Sequence, residues 1–379
     1  MAKKNSGSGF SLKDQLFNHE RVRYLANQFA AADDRFETAA FVRQTMKRLP
    51  SLELKQRIVH IAQTLEDFLS SDFKTAARQI IAALPPPLDP TKQDDDFGDF
   101  IFAPLGEFVT RNGVASKHVK TSLRTLKQIT QRFSMEDAIR TFIDAHTDVT
   151  MAELKKWATD SNYHVRRLVS EGTRPMLPWS RRLTLDAEAA IPLLELLHAD
   201  STRYVTRSVS NHLNDIAKTD PVLVLQTLKR WKKLQCQSSD ELKWMTRHAL
   251  RTLVKQGNAG ALRLLGYRTK PRIKISAFQV QPLEVRRGDA IEFSFTVTAE
   301  RSEQLMIDYV VDFVKANGSL APKVFKLKQL SAAKGESAVV KKRHPLKDNA
   351  TTFTLFPGRH RITLQINGTH FDSCPFELR

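Results

Sequence analysis

The stretch YHVRRLVSE at residues 163–171 returns as RYVTRSVSN at 203–211 and as KWMTRHALR at 243–251, an offset of 40 residues each time. Arg167, Arg207 and Arg247 coincide in this register, as do Val165, Val205 and Met245. Leu168, Ser208 and His248 agree less well, and a fainter copy, SLRTLKQIT at 122–130, places Lys127 at the arginine position. A unit of this size cannot bury an apolar face alone. Successive copies must stack on one another, which commits this part of the chain to a repeat array with a concave surface.

The array is helical. LKDQLFNHERVRYLANQFAAA, FETAAFVRQTMKRL and LKQRIVHIAQTLEDFL carry apolar residues at i, i+3, i+4 and i+7, with Pro50 and Ser51 as punctuation. A period of about 40 residues in helical text is the mark of HEAT-type repeats. LPPPLDPTKQDDDFGDF breaks the pattern and predicts a surface loop. After Gly266 the texture changes. PRIKISAFQV, AIEFSFTVTA, QLMIDYVVDFV, KVFKLKQL, SAVVKKRH, TFTLF and HRITLQI read as short strands, followed by CPFELR. The fold expected is mainly α: a HEAT-like helical solenoid over residues 1–269, then an all-β immunoglobulin-like sandwich over 270–379. Within the solenoid, 1–116 is a helical N-terminal part and 117–269 holds the basic repeats.

Net charge is +18, unevenly spread. Residues 1–116 hold 15 basic and 15 acidic side chains, whereas 117–269 carry a net +11 and 270–379 a net +7. A basic excess on folded segments points to a polyanion, most often nucleic acid. Residues 1–116 read instead as a cap and support. Equivalent positions in stacked repeats line up, so Lys127, Arg167, Arg207 and Arg247 would form a row suited to a phosphate backbone. The alternative is that each cation pairs with an acid of its own repeat, but acids are scarce at the matching positions. No apolar run reaches the ~18 residues of a membrane span. The opening MAKKNSGSGF has no apolar signal core. Two distant cysteines, Cys236 and Cys374, make neither a disulfide framework nor a metal cluster. A reduced, cytoplasmic monomer without a cofactor or metal is expected.

Glu171 stands out in this basic text. It follows Arg167 by one helical turn, where the other copies have Asn211 and Arg251. A carboxylate on a phosphate-binding face weakens binding but suits a protein that acts on a cation. The plainer reading is an ion-pair partner. His164 and Arg166 precede it. GTRPMLPWSRR follows, ends the helix, and carries Arg174, Arg181, Arg182 and Trp179. Trp179 either packs or, if exposed, stacks on a sugar or base. Trp157 and Trp231 fit core faces.

Three stretches, HVRRLVSEGTRPMLPW, VSNHLNDIAKTDP and WMTRHALRTLVKQGN, together resemble the AlkC group of alkylpurine DNA glycosylases, in the HEAT-like-repeat superfamily shared with AlkD. Some members of the group carry a C-terminal immunoglobulin-like domain. The resemblance implies monofunctional excision of cationic N3-alkylated bases, such as 3-methyladenine and 3-methylcytosine, from double-stranded DNA. It also implies that the lesion is not flipped into a pocket, unlike the usual base-processing enzyme. It implies Glu171 within SEGTRP as the catalytic carboxylate, Glu136 within QRFSMEDAIR as a second, Asp215 within HLNDIAK as a third candidate, and Trp179 as a sugar contact. Lys127, His164, Arg166, Arg167, Arg174, Arg207, Arg247 and Arg251 are the expected DNA-binding residues. The chemistry is coherent: a cationic base leaves without a strong general acid, and a carboxylate stabilises the oxocarbenium-like sugar and positions water. A non-catalytic HEAT-repeat nucleic-acid binder explains the charge and the repeat equally well, but not Glu171. A protein-interaction scaffold leaves the basic excess unexplained.

Overall fold

The structure is a computed structural model that describes residues 11–92, 97–348 and 354–379. The expected acidic run Asp94–Asp96, the segment MAKKNSGSGF and the start of the expected TFTLF strand lie outside these residues. Residues 354–356, which complete that stretch, are not in a strand. The chain forms two compact units, Met1–Ile216 with Leu234–Met245, and Ala217–Lys233 with Thr246–Arg379.

The first unit is helical. Three aligned copies fall on its helices, 122–130 on Val119–Ile129, 163–171 on Tyr163–Gly172 and 203–211 on Arg203–Ile216; the fourth, 243–251, runs across the end of Ser239–Ala249, and its residues from Thr246 on belong to the second unit. The apolar column of the repeat is core, with Val165 and Val205 fully buried and Met245 nearly so. Caps set the helix starts. Asn18, Asp72 and Asn162 each accept a backbone N–H of the first turn through the side chain, which satisfies donors the helix itself cannot. The N-terminal helices pack through an aromatic cluster in which Phe36 lies 5.1 Å from Phe29 and 5.8 Å from Phe68. Glu136 and Asp137 occupy the first turn of Glu136–Ala145, the favourable end of its dipole. That helix packs on Tyr163–Gly172, which in turn packs on Arg203–Ile216. Gly172 permits the close approach: a Cβ there would lie 2.5 Å from Ile139 Cγ2.

The second unit ends in the sandwich. Its strands are β1 (Ile273–Gln281), β2 (Glu284–Val285), β3 (Ala290–Ala299), β4 (Glu303–Val314), β5 (Leu320–Ala332), β6 (Ser337–Pro345), β7 (Gly358–Ile366) and β8 (Thr369–Leu378). One sheet has the order β1-β3-β6 and the other β2-β8-β7-β4-β5. All pairings are antiparallel except β2 with β8. Inward-facing Ile291, Phe293 and Phe295 meet Ile307, Tyr309, Ile362 and Leu364 in one core. The short β2 escapes sequence reading because two residues show no alternation. The helices before the sandwich are sewn to it: Gln365 Nε2 donates to the Lys255 carbonyl, and the backbones of Gly257 and Gly368 touch so closely that a Cβ on either would clash.

The basic residues of 341–344 and 359–361 do not all face solvent. Lys341, Lys342 and Arg343 are exposed on the edge strand β6. His344 and His360 instead point into the core, because the pleat sends alternate residues inward. His344 Nδ1 lies 2.9 Å from the Tyr309 hydroxyl, and Arg361 pairs with Asp312 at 2.7 Å.

Candidate active site

Five charged side chains alternate in sign through the centre of the helical unit. Arg167 Nη1 donates to Glu136 Oε2 at 2.6 Å, and its Nη2 lies 3.5 Å from Glu171 Oε2. Glu171 Oε1 accepts from Arg174 Nη1 at 2.5 Å, and Arg174 Nη2 donates to Asp215 Oδ2 at 2.6 Å. The series Glu136–Arg167–Glu171–Arg174–Asp215 runs from one helix to a second, through the loop after it, to a third. Glu171 is only 3% exposed. Two serines complete the carboxylates: Ser208 Oγ donates to Glu171 Oε2 at 2.6 Å, and Ser134 Oγ to Glu136 Oε2 at 2.7 Å. The Tyr204 ring lies against Arg167, 4.9 Å from its guanidinium carbon.

The two glutamates are driven apart electrostatically. Burial pushes the Glu171 carboxyl up, but Arg167, Arg174 and the Ser208 hydroxyl outweigh it and hold the group below the ordinary carboxylate range. Burial dominates at Glu136, where one guanidinium does not offset it and the charge of Glu171 adds to it, so this carboxyl sits above the ordinary range. One carboxylate is thus firmly ionised beside a second that protonates more readily. His212 is fully buried behind them. Burial, then Arg174, lower its pKa to about 4, so it is neutral, and its Nδ1 faces the Ser170 carbonyl at 3.1 Å.

The row of solvent-facing cations is not what these helices present. Arg167 and His164 are buried. Arg166 makes a two-pronged pair with Asp200, and Lys127 pairs with Asp160 at 2.6 Å. The acids that neutralise them come from neighbouring helices and loops, not from the matched column, so the repeat alignment does not show them. Arg207 is half-buried with its guanidinium carbon 5.8 Å from the Tyr204 ring, Arg251 donates to the His248 carbonyl at 2.6 Å, and Arg247 is exposed. Trp157 and Trp231 are core as expected, whereas Trp179 is 49% exposed at the tip of its loop. Its carbonyl accepts from Lys55 Nζ, so the N-terminal helices hold this loop.

Sequence reading missed Ser134, Ser208 and His212 within this cluster, and Arg140, which donates to backbone carbonyls of the loop after Glu171. Ser208 left a trace, as the polar member of a poorly matched repeat column. Arg140 left none. Among the described residues, no group of three or more His, Cys, Asp or Glu could hold a metal ion, and no helix is long and apolar enough to cross a membrane.

Residues 116–253 match the family described as DNA alkylation repair enzyme, and residues 274–379 match the C-terminal Ig-like domain of the uncharacterised protein YhaZ. YhaZ of Bacillus subtilis (strain 168) is 31% identical over 368 residues, 96% of this chain and 98% of that protein. The Pseudomonas fluorescens alkylpurine DNA glycosylase AlkC, solved bound to DNA containing an abasic site analog, is 34% identical. That match covers 98% of this chain and 100% of the other, with a TM-score of 0.86. With a helical-repeat unit, an Ig-like C-terminal domain and these matches along its length, the chain belongs to the AlkC group of the DNA alkylation repair enzyme family.

Proposed function

We propose that this protein is a monofunctional DNA glycosylase that hydrolyses the N-glycosidic bond of cationic N3-alkylated bases in double-stranded DNA. The substrates include 3-methyladenine and 3-methylcytosine, and the lesion is not flipped. The observation that carries the reading is Glu171, a carboxylate kept ionised by two arginines and a serine, within the stretch 116–253 that matches the DNA alkylation repair enzyme family.

On this reading the leaving base carries its own positive charge, so protonating it is unnecessary. As the bond to C1′ lengthens, charge passes to the sugar, and a fixed carboxylate in a low-dielectric setting stabilises it without reorganising. Glu136, whose carboxyl burial holds above the ordinary range, accepts the proton of the attacking water. Asp215 orients Arg174, and the exposed Trp179 contacts the deoxyribose. Arg207, Arg247 and Arg251, with Arg166 and Lys127 where a phosphate displaces their acidic partners, grip the backbone. The exposed Lys341, Lys342 and Arg343 of β6 add phosphate contacts from the sandwich, and replacing all three by Gln weakens duplex binding. The protein works as a cytoplasmic monomer.

The deciding measurement is release of free 3-methyladenine from methylated duplex DNA by the intact protein beside Glu171→Gln. Release by the first, with a large loss in a mutant that still binds DNA, supports the reading. Equal release moves the chemistry to Glu136 or Asp215. Salt-sensitive DNA binding without release by either leaves a non-catalytic binder with Glu171 as a structural ion pair.

A further inference from the structure

Arg140 is fully buried on the Glu136–Ala145 helix, yet among the described residues no carboxylate lies within ion-pair distance of it. Its guanidinium is spent on backbone. Nε and Nη2 donate to the Arg181 carbonyl at 3.1 and 2.7 Å, Nη1 to those of Arg174 at 2.7 Å and Gly172 at 3.4 Å, and Nη2 to that of Pro175 at 3.3 Å. All five N–H groups are thereby used on four carbonyls at the two ends of one loop. Burial lowers the pKa of this guanidinium, so the arrangement costs desolvation that the carbonyls must offset.

The loop so gripped is the one that leaves Glu171. It begins at the helix end, carries Arg174 against Glu171 and Asp215, and places Trp179 at its tip. Leu177 and Leu183 are buried beneath it, Leu183 N donates to the Pro175 carbonyl at 3.2 Å, and Ser180 Oγ donates to Asp137. Two large apolar side chains nevertheless stay outside, Met176 at 53% and Trp179 at 49% exposed. A loop pinned this firmly while presenting apolar groups to solvent is built to present them.

We infer that Arg140 is a positioning residue for base excision: its guanidinium fixes the Gly172–Arg181 loop so that Arg174 keeps its place against Glu171 and Trp179 is held out at the loop tip. The inference deepens the glycosylase reading and rests on it for its catalytic consequence. Lysine cannot replace the fork, because a point charge with three donors does not reach four carbonyls in a plane.

The test uses the full chain, wild type beside Arg140→Lys and Arg140→Met. Three quantities are measured: single-turnover release of 3-methyladenine at saturating DNA, affinity for duplex DNA holding an abasic-site analog, and iodide quenching of Trp179, isolated by difference against Trp179→Phe. The expected result for Arg140→Lys is a rate lower by about 100-fold, the effect of a displacement near 1 Å at a reacting centre. Affinity is little changed, and Trp179 is more easily quenched. A folded Arg140→Lys protein with wild-type rate and quenching overturns the inference. Should both variants fail to fold, hydrogen exchange of the wild type decides: unprotected amides at Arg174 and Leu183 overturn it, and protection comparable to the flanking helices supports it. If the wild type releases no base, the glycosylase reading fails by itself, while quenching and exchange still report whether Arg140 fixes the loop.

Discussion

Ser208 Oγ donates a 2.6 Å hydrogen bond to Glu171 Oε2, joining two helices 37 residues apart in sequence through the least exposed carboxylate of the site. The bond is stronger to the ionised carboxylate than to the neutral acid, so it helps keep the Glu171 carboxyl below the ordinary range against the opposing effect of burial. Ser208→Ala removes that help. The acid limb of the pH–rate profile for base release moves to higher pH, because Glu171 then takes up a proton sooner as pH falls. A profile superimposable on wild type excludes Glu171 as the group titrating on that limb.

Arg167 holds two buried carboxylates at once. Arg167→Met strands Glu136 and leaves Glu171 to Arg174 and Ser208, and urea unfolding of the helical unit reports a loss of about 3–5 kcal/mol, the usual cost of an uncompensated buried charge. Arg181 offers the contrast within the same unit. It pairs with Asp144 at 3.2 Å but is half exposed, so Arg181→Ala changes stability by at most about 1 kcal/mol.

Trp179→Ala separates function from folding. The side chain is half exposed, so the unfolding midpoint changes by less than about 0.5 kcal/mol equivalent. Base release falls about tenfold, within the 1–3 kcal/mol that one aromatic stacking platform supplies. Unaltered release removes Trp179 from the site.

In the second unit, burial pushes the Asp308 carboxyl up to about 6, with Lys326 and Lys255 opposing. The folded state therefore binds this proton more tightly than the unfolded chain. The sign follows: the contribution is full below the unfolded carboxylate value near 3.8 and is lost as pH rises through about 6. Asp308→Asn accordingly raises the stability of this unit at pH 7 to 8, by on the order of 1–2 kcal/mol, and flattens its dependence between pH 4 and 6. Thermal unfolding across that range measures both effects.

Much of this protein is written locally. The 40-residue recurrence places Val165, Val205 and Met245 on buried helix faces, and alternation in AIEFSFTVTA and HRITLQI marks β3 and β7, because helix and strand periods are properties of the chain itself. The motif text around Glu171 places the chain in its family. What only tertiary structure decided is how the charges are spent. Lys127 and Arg167 of the expected row, and Arg166 and Arg174 beside them, read as cations offered to phosphate, yet their partners Asp160, Glu136, Asp200 and Asp215 arrive from other helices and loops. Sequence spacing holds no information about which acid a stacked neighbour brings within 3 Å. The roles of Arg140 and Ser208 could not be read for the same reason: they rest on backbone carbonyls and a carboxylate that come near only once three helices and a loop have packed.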